Sequence, residues 1–243
     1  MPDAVTIDGR SVAISRVGQG PPLVCLPGGP GFPGGQLGDL GGVSRARTLL
    51  RLDWRGAGDS EPPADGRHGI ADYVADLAAV QDTLGIDRLA LFGHSFGGIV
   101  AASYSARFPG RVERLVLDGT PDRLDDGRAP VGGMPGYFVN WGERAQQYVD
   151  QIMASLFEPA WTWFEANEYS TVDLAAALPA ITARTLVLTG DQDWAVGPTR
   201  ASAMAEAINN ASTAVIPGAG HFAWIDEPDA YANRVIAFLD QPV

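Results

Sequence analysis

Leu89-Ala90-Leu91-Phe92-Gly93-His94-Ser95-Phe96-Gly97-Gly98 joins an apolar run to a helical pattern, Ile99–Phe108, that stops before Pro109. The order this predicts is a buried strand, a tight turn and a helix. Small residues at Gly93 and Gly97 let strand and helix approach with no side chain between them. Ser95 at the apex would hold its hydroxyl above the end of a sheet. The Phe96 N–H and the helix N-terminus would face the same space, where oriented donors stabilise a tetrahedral oxyanion. A chain with 30 glycines can form G-x-S-x-G by chance. The strand before this one and the helix after it are the context in which the motif presents a nucleophile.

The same rhythm extends in both directions. Short apolar runs occur at Ser11–Arg16, Leu23–Leu26, Thr48–Asp53, Arg88–Phe92, Arg114–Leu117, Thr185–Leu188 and Thr213–Ile216. Most lack strict polar alternation, as strands buried on both faces do. Amphipathic stretches lie between them: Ala71–Leu84, Ile99–Phe108, Thr199–Ile208 and Pro228–Leu239. Strand–helix alternation predicts an α/β fold, a mostly parallel sheet with helices on both faces. The rhythm breaks between Pro121 and Pro179, where a turn-rich segment leads into a helical, aromatic one. A structureless loop of that length would be unusual. The expected organisation is a core of residues 1–120 and 181–243 with a helical cap insertion at 121–180.

Composition narrows the chemistry. The chain has 243 residues, 46% hydrophobic and 19% charged, enough for one domain with a full core. The net charge of −12 argues against nucleic acid as a partner, which needs clustered Lys and Arg. No apolar run reaches the roughly 18 residues of a membrane span. The stretch 1–14 lacks the pattern of a signal peptide, so the cytoplasm is the default expectation. The single cysteine, Cys25, lies in an apolar run and reads as a core residue. Three scattered histidines and one cysteine offer no metal cluster, and no cofactor motif is present; neither metal nor cofactor is expected. The oligomeric state is unknown from sequence.

With three histidines, a base for Ser95 can be sought by elimination. His94 adjoins the serine and should project elsewhere. His68 lies in a polar loop, where a solvated or capping role is expected. His221, in a glycine-rich loop just after the last strand-like run, can reach over the sheet edge toward Ser95. An acid should orient that imidazole. Asp193, after the strand Thr185–Leu188, is favoured; Asp118, at an earlier strand end, is second, and Asp191 reads as a turn former. In Pro27-Gly28-Gly29-Pro30-Gly31 adjacent glycines leave backbone N–H groups open to a cavity, so Gly29 N–H is expected to join Phe96 N–H in an oxyanion hole.

Gly93-His94-Ser95-Phe96-Gly97-Gly98, Gly190-x-x-Asp193 and Gly220-His221 together resemble the α/β-hydrolase superfamily. Within it, Gly28-Gly29-Pro30-Gly31 and Asp53-Trp54-Arg55-Gly56-Ala57-Gly58-Asp59-Ser60 resemble the proline iminopeptidase branch. The resemblance implies a serine hydrolase that removes N-terminal residues from short peptides. It also implies cap glutamates that hold the substrate amino group, Glu168 here with Glu165 close by; a solvated helix charge is an equal reading of Glu168. Two departures stand out: Pro27 replaces the usual histidine, and Trp194 replaces a carboxylate that some relatives carry after the triad aspartate. Trp194, Trp141 and Phe222 are candidate substrate contacts, although cap aromatics serve equally as the cap's own core. The leading expectation is an aminopeptidase or amidase for a small-molecule or short-peptide substrate. The alternatives are an esterase, thioesterase or lactonase for an apolar acyl substrate, or a non-catalytic ligand receptor on the same fold.

Overall fold

The structure, a computed structural model, describes residues 3–124 and 133–242. Eight strands form one sheet: β1 (Ala4–Ile7), β2 (Arg10–Val17), β3 (Pro22–Leu26), β4 (Thr48–Leu52), β5 (Leu89–His94), β6 (Val112–Asp118), β7 (Arg184–Gly190) and β8 (Ala211–Ile216). Their order is β1-β2-β4-β3-β5-β6-β7-β8. The pairs β1/β2 and β2/β4 are antiparallel and the rest parallel. All seven apolar runs are strands, and β1 adds an antiparallel edge that was not among them. Among the described residues, seven helices accompany the sheet: α1 (Ile70–Leu84), α2 (Phe96–Arg107), α3 (Glu143–Ala154), α4 (Glu158–Asn167), α5 (Gly197–Glu206), α6 (Ala223–Asp226) and α7 (Pro228–Leu239).

Period-two alternation sorts the central strand residues into two apolar layers. Val24, Leu26, Leu91, Leu115, Leu117 and Val187 pack with α1, α2 and α5. Cys25, Phe92, Val116, Leu186 and Leu188 point the other way, toward Trp224, Tyr231 and Phe238. Burial on both faces explains why these runs lack polar alternation. Helix α1 turns Tyr73, Leu77 and Val80 inward and ends at Gly85, whose φ of 65° is the left-handed C-terminal stop. Among the described residues, α3, α4 and three 3-10 turns occupy the chain between β6 and β7. Part of the turn-rich segment expected after Pro121, residues 125–132, lies outside the described residues.

After β3 the chain moves to β4 on one side, and after β5 to β6 on the other. The crevice where successive connections diverge, at the carboxyl ends of parallel strands, is where such sheets bind ligands. Here it lies between residue 26 at the end of β3 and residue 94 at the end of β5.

The Asp53–Ser60 motif is consumed by structure beside that crevice. Asp53 accepts the Gly34 N–H at 2.7 Å and the Asp59 N–H at 2.9 Å. Arg55 grips Asp76 of α1 with Nε at 2.9 Å and Nη2 at 2.8 Å, and Arg10 of β2 reaches the same carboxylate. These bonds tie the loop after β4 to the rest of the domain.

Candidate active site

Ser95 sits at φ 51° and ψ −116°, between the last residue of β5 and the first of α2. Few non-glycine residues adopt such a backbone, and one held there by its surroundings marks a strained turn. The surroundings are tight. A Cβ at Gly93 would lie 2.4 Å from the Gly97 carbonyl oxygen, and one at Gly97 would lie 2.4 Å from those of Leu26 and Pro27. Strand, helix and the loop after β3 are in backbone contact, so glycine is required at both places. The Ser95 N–H donates to the Asp118 carbonyl at 2.8 Å, pinning the turn to β6.

His221 and Asp193 meet from two loops. His221 Nδ1 lies 3.0 Å from Asp193 Oδ2, with both side chains almost wholly buried. The carboxylate's other oxygen accepts the Ala195 N–H at 2.9 Å and the Val196 N–H at 3.3 Å. Burial alone would raise the Asp193 carboxyl, but the His221 charge, its hydrogen bond and these two amides hold it below the usual range. Burial pulls the His221 imidazole down; the charge and hydrogen bond of Asp193, with Asp118 adding, outweigh it and hold the ring above its usual value. The His221 N–H donates to the Tyr137 carbonyl at 2.8 Å, which fixes the loop.

Ser95 and His221 line one cavity of about 380 Å³. Gly28, Gly29, Phe96, Trp194 and Phe222 line it too. Phe96 opens α2, where the first N–H groups have no carbonyl to meet within the helix. Gly29 has φ 47°, and the neighbouring Gly28 N–H is already committed to Gln36 Oε1 at 2.7 Å. The remaining wall is largely apolar, including Ile99, Leu124, Ile152, Leu156, Trp161 and Phe164. Arg123 and Arg200 also line it, both facing Asp122 outside the lining: Arg200 Nη2 is 2.6 Å from Oδ1 and Arg123 Nε 4.0 Å from Oδ2. No carboxylate lines the cavity itself among the described residues.

Two expected contacts are not brought to the cavity. Trp141 packs on Phe138, ring centroids 5.5 Å apart, against the apolar layer that holds Trp224 and Phe238. Glu168 points away: its Oε2 accepts the Ile70 N–H at 2.8 Å. The opening turn of α1 has N–H groups without intrahelical partners and a positive dipole end, so a carboxylate settles there. The neighbouring Glu165 is exposed on α4. His68, expected in solvent or a cap, is buried, with Nδ1 3.2 Å from the Tyr73 hydroxyl. Burial and then Arg55 lower its pKa to about 4.

Two residues of the site carry no signal in the sequence. Gln36 fixes the loop of Gly28 from eight positions away and is recognised only when the chain folds back. Asp226 accepts the Gly220 N–H at 2.8 Å and the Val139 N–H at 3.2 Å, joining the His221 loop to the segment leading into α3. Among the described residues, no three His, Cys, Asp or Glu are grouped to hold a metal ion, and no helix is long and apolar enough to cross a membrane.

Comparison with known proteins matches residues 21–157 and 145–228 to the alpha/beta hydrolase fold family. The 2-hydroxy-6-oxo-2,4-heptadienoate hydrolase of Pseudomonas putida is 27% identical over 265 aligned positions, covering 97% of this chain and 95% of that protein. The 2-hydroxymuconate semialdehyde hydrolase of Pseudomonas sp. (strain CF600) is 30% identical over 220 positions, covering 81% and 78%. The enol-lactonase from Burkholderia xenovorans LB400 superposes with a TM-score of 0.81 at 24% identity, covering 98% of this chain and all of that one.

Proposed function

The chain belongs to the α/β-hydrolase fold family, and from that premise we propose that it is a serine-nucleophile esterase or lactonase for small apolar acyl substrates. Residues 121–180 form its cap. Ser95 attacks the carbonyl while His221 takes its proton, and Asp193 holds the imidazole and favours the imidazolium. The Gly29 and Phe96 amides receive the oxyanion. His221 then protonates the leaving oxygen, and in the second half activates the water that releases the acid.

The observation that favours an ester or lactone over an N-terminal peptide bond is the charge of the wall. An aminopeptidase must hold an α-ammonium, and a buried ammonium needs an anion. The described lining supplies arginines and no carboxylate, and Glu168 is spent on α1. Of the relatives named above, the enol-lactonase agrees in kind with this reading, and the two Pseudomonas proteins are named as hydrolases of small oxo-acids. Hydrolysis of an oxo-dienoate, as the first Pseudomonas relative is named for, is the second reading.

A panel of acyl esters, five- and six-membered lactones, an oxo-dienoate and proline arylamide tests the assignment. Higher kcat/KM on an ester or lactone than on the other two supports it. Preference for proline arylamide would return the protein to the aminopeptidase reading.

A further inference from the structure

Beside His221–Asp193 lies a second buried His–Asp pair. His94 Nδ1 is 3.0 Å from Asp118 Oδ2, and both side chains are 1% exposed. They are neighbours across β5 and β6, the last residues of their strands. The His94 and His221 rings are 4.7 Å apart. The far edge of His94, Cδ2 and Nε2, lies against Gly28: a Cβ built there would be 2.9 Å from Cδ2 and 3.5 Å from Nε2. His94 thus forms the wall behind the oxyanion loop, and it lines the cavity.

We propose that the His94–Asp118 pair carries two protons and no net charge, so that His94 Nε2 is an N–H donor behind the oxyanion loop and the pair is a positioning unit for the reaction. This rests on the serine hydrolase reading given above. One proton lies between Nδ1 and Oδ2; in the proposed arrangement the second resides on Nε2. Without it the pair is a net anion.

A net anion is disfavoured where the pair sits. Phe222 and Trp224 pack against the His94 ring, at 5.3 and 4.6 Å between centroids. No guanidinium or ammonium contacts Asp118 among the ion pairs of the described residues. An isolated buried charge is costly and the group neutralises instead. Burial pushes the Asp118 carboxyl well up and the His94 imidazole well down, the direction of two uncharged partners.

The other titratable groups facing the pair are His221, Asp193, Tyr148 of α3 and Tyr231 of α7. The Tyr231 hydroxyl approaches Asp118 without completing a hydrogen bond. Both tyrosines are held protonated by burial, and Cys25 beyond Tyr231 likewise. An uncharged pair neither repels the imidazolium that forms on His221 nor traps its proton there, and His221 must both take and return that proton.

Nitrogen-15 NMR of imidazole-labelled protein between about pH 6 and 8 reads the tautomer without reference to turnover. The expected result is a protonated His94 Nε2 throughout; an unprotonated Nε2 overturns the proposal. Kinetics give the second arm. Asp118→Leu removes the partner and is expected to lower kcat about tenfold with KM little changed. Asp118→Asn, which donates to Nδ1 as the neutral acid does, should restore most of that loss and leave the acid limb of the pH profile in place. A fall for Asp118→Asn as large as for Asp193→Asn would show that an ionised Asp118 is needed and overturn it. If Ser95 proves unreactive while Nε2 is protonated, the hydrolase reading fails and the charge state of the pair stands.

Discussion

Asp193 Oδ2 lies 3.0 Å from His221 Nδ1, while Asp193 Oδ1 is held by two backbone amides of the loop that follows. The carboxylate is therefore fixed before any substrate arrives, and it fixes the ring in turn. Replacing Asp193 by Asn is expected to lower kcat by about four orders of magnitude, because the amide favours the wrong tautomer and cannot offset an imidazolium. Steady-state kinetics with an ester checks this, with circular dichroism to show that the fold is intact.

The same contact sets the pH dependence. In the proposed mechanism His221 works as neutral imidazole, and its pKa is held above the usual value of about 6.5. Activity should rise with pH through a midpoint above that value and fall as the ring protonates below it. In Asp193→Asn the charge that raises the pKa is gone and burial remains, so the residual activity should show its midpoint shifted to lower pH. A kcat/KM profile of both proteins reads the direction.

Gly97 is the point where α2, β5 and the loop after β3 touch. A Cβ there would stand 2.4 Å from two backbone carbonyl oxygens. Gly97→Ala must displace the loop carrying Gly29 or the start of α2. The expected cost is about 1–3 kcal/mol of stability and a fall in kcat of about a hundredfold from a misplaced donor. Thermal unfolding and kinetics on the same sample separate the two effects.

Glu168 caps α1 across 98 residues of sequence and ties the segment after α4 to the core. Glu168→Ala should destabilise the protein by about 1 kcal/mol, as losing a helix-capping acceptor does. KM for a substrate with a free amino group should stay within about twofold of wild type, since 1.4 kcal/mol is the scale of a tenfold change in binding. A selective rise in that KM would instead place the carboxylate at the substrate.

The contrast between Ser95 and Glu168 shows what the sequence can carry. The elbow is local: glycines on either side of Ser95, an apolar run before it and a helical pattern after it lie within about twenty residues. The two-faced burial of the central strands is equally local, so the sheet could be read from its runs. The contact between Asp193 and His221 is legible in part because each lies in a loop a few residues beyond the carboxyl end of a strand, β7 and β8, which are neighbours and parallel. Glu168 and Trp141 sit between β6 and β7, on segments whose orientation depends on packing between parts far apart in the chain. Spacing does not say which way a half-buried helix end turns. Gln36 and Asp226 act through backbone amides, which no side-chain motif records.

In the proposed mechanism Ser95 is made nucleophilic by His221. Labelling with a fluorophosphonate, followed by mass mapping of the adduct, tests it most directly. One adduct on Ser95 is expected in the wild-type protein, with a labelling rate reduced by orders of magnitude in His221→Ala. An adduct on another residue, or one formed equally fast in His221→Ala, would contradict it.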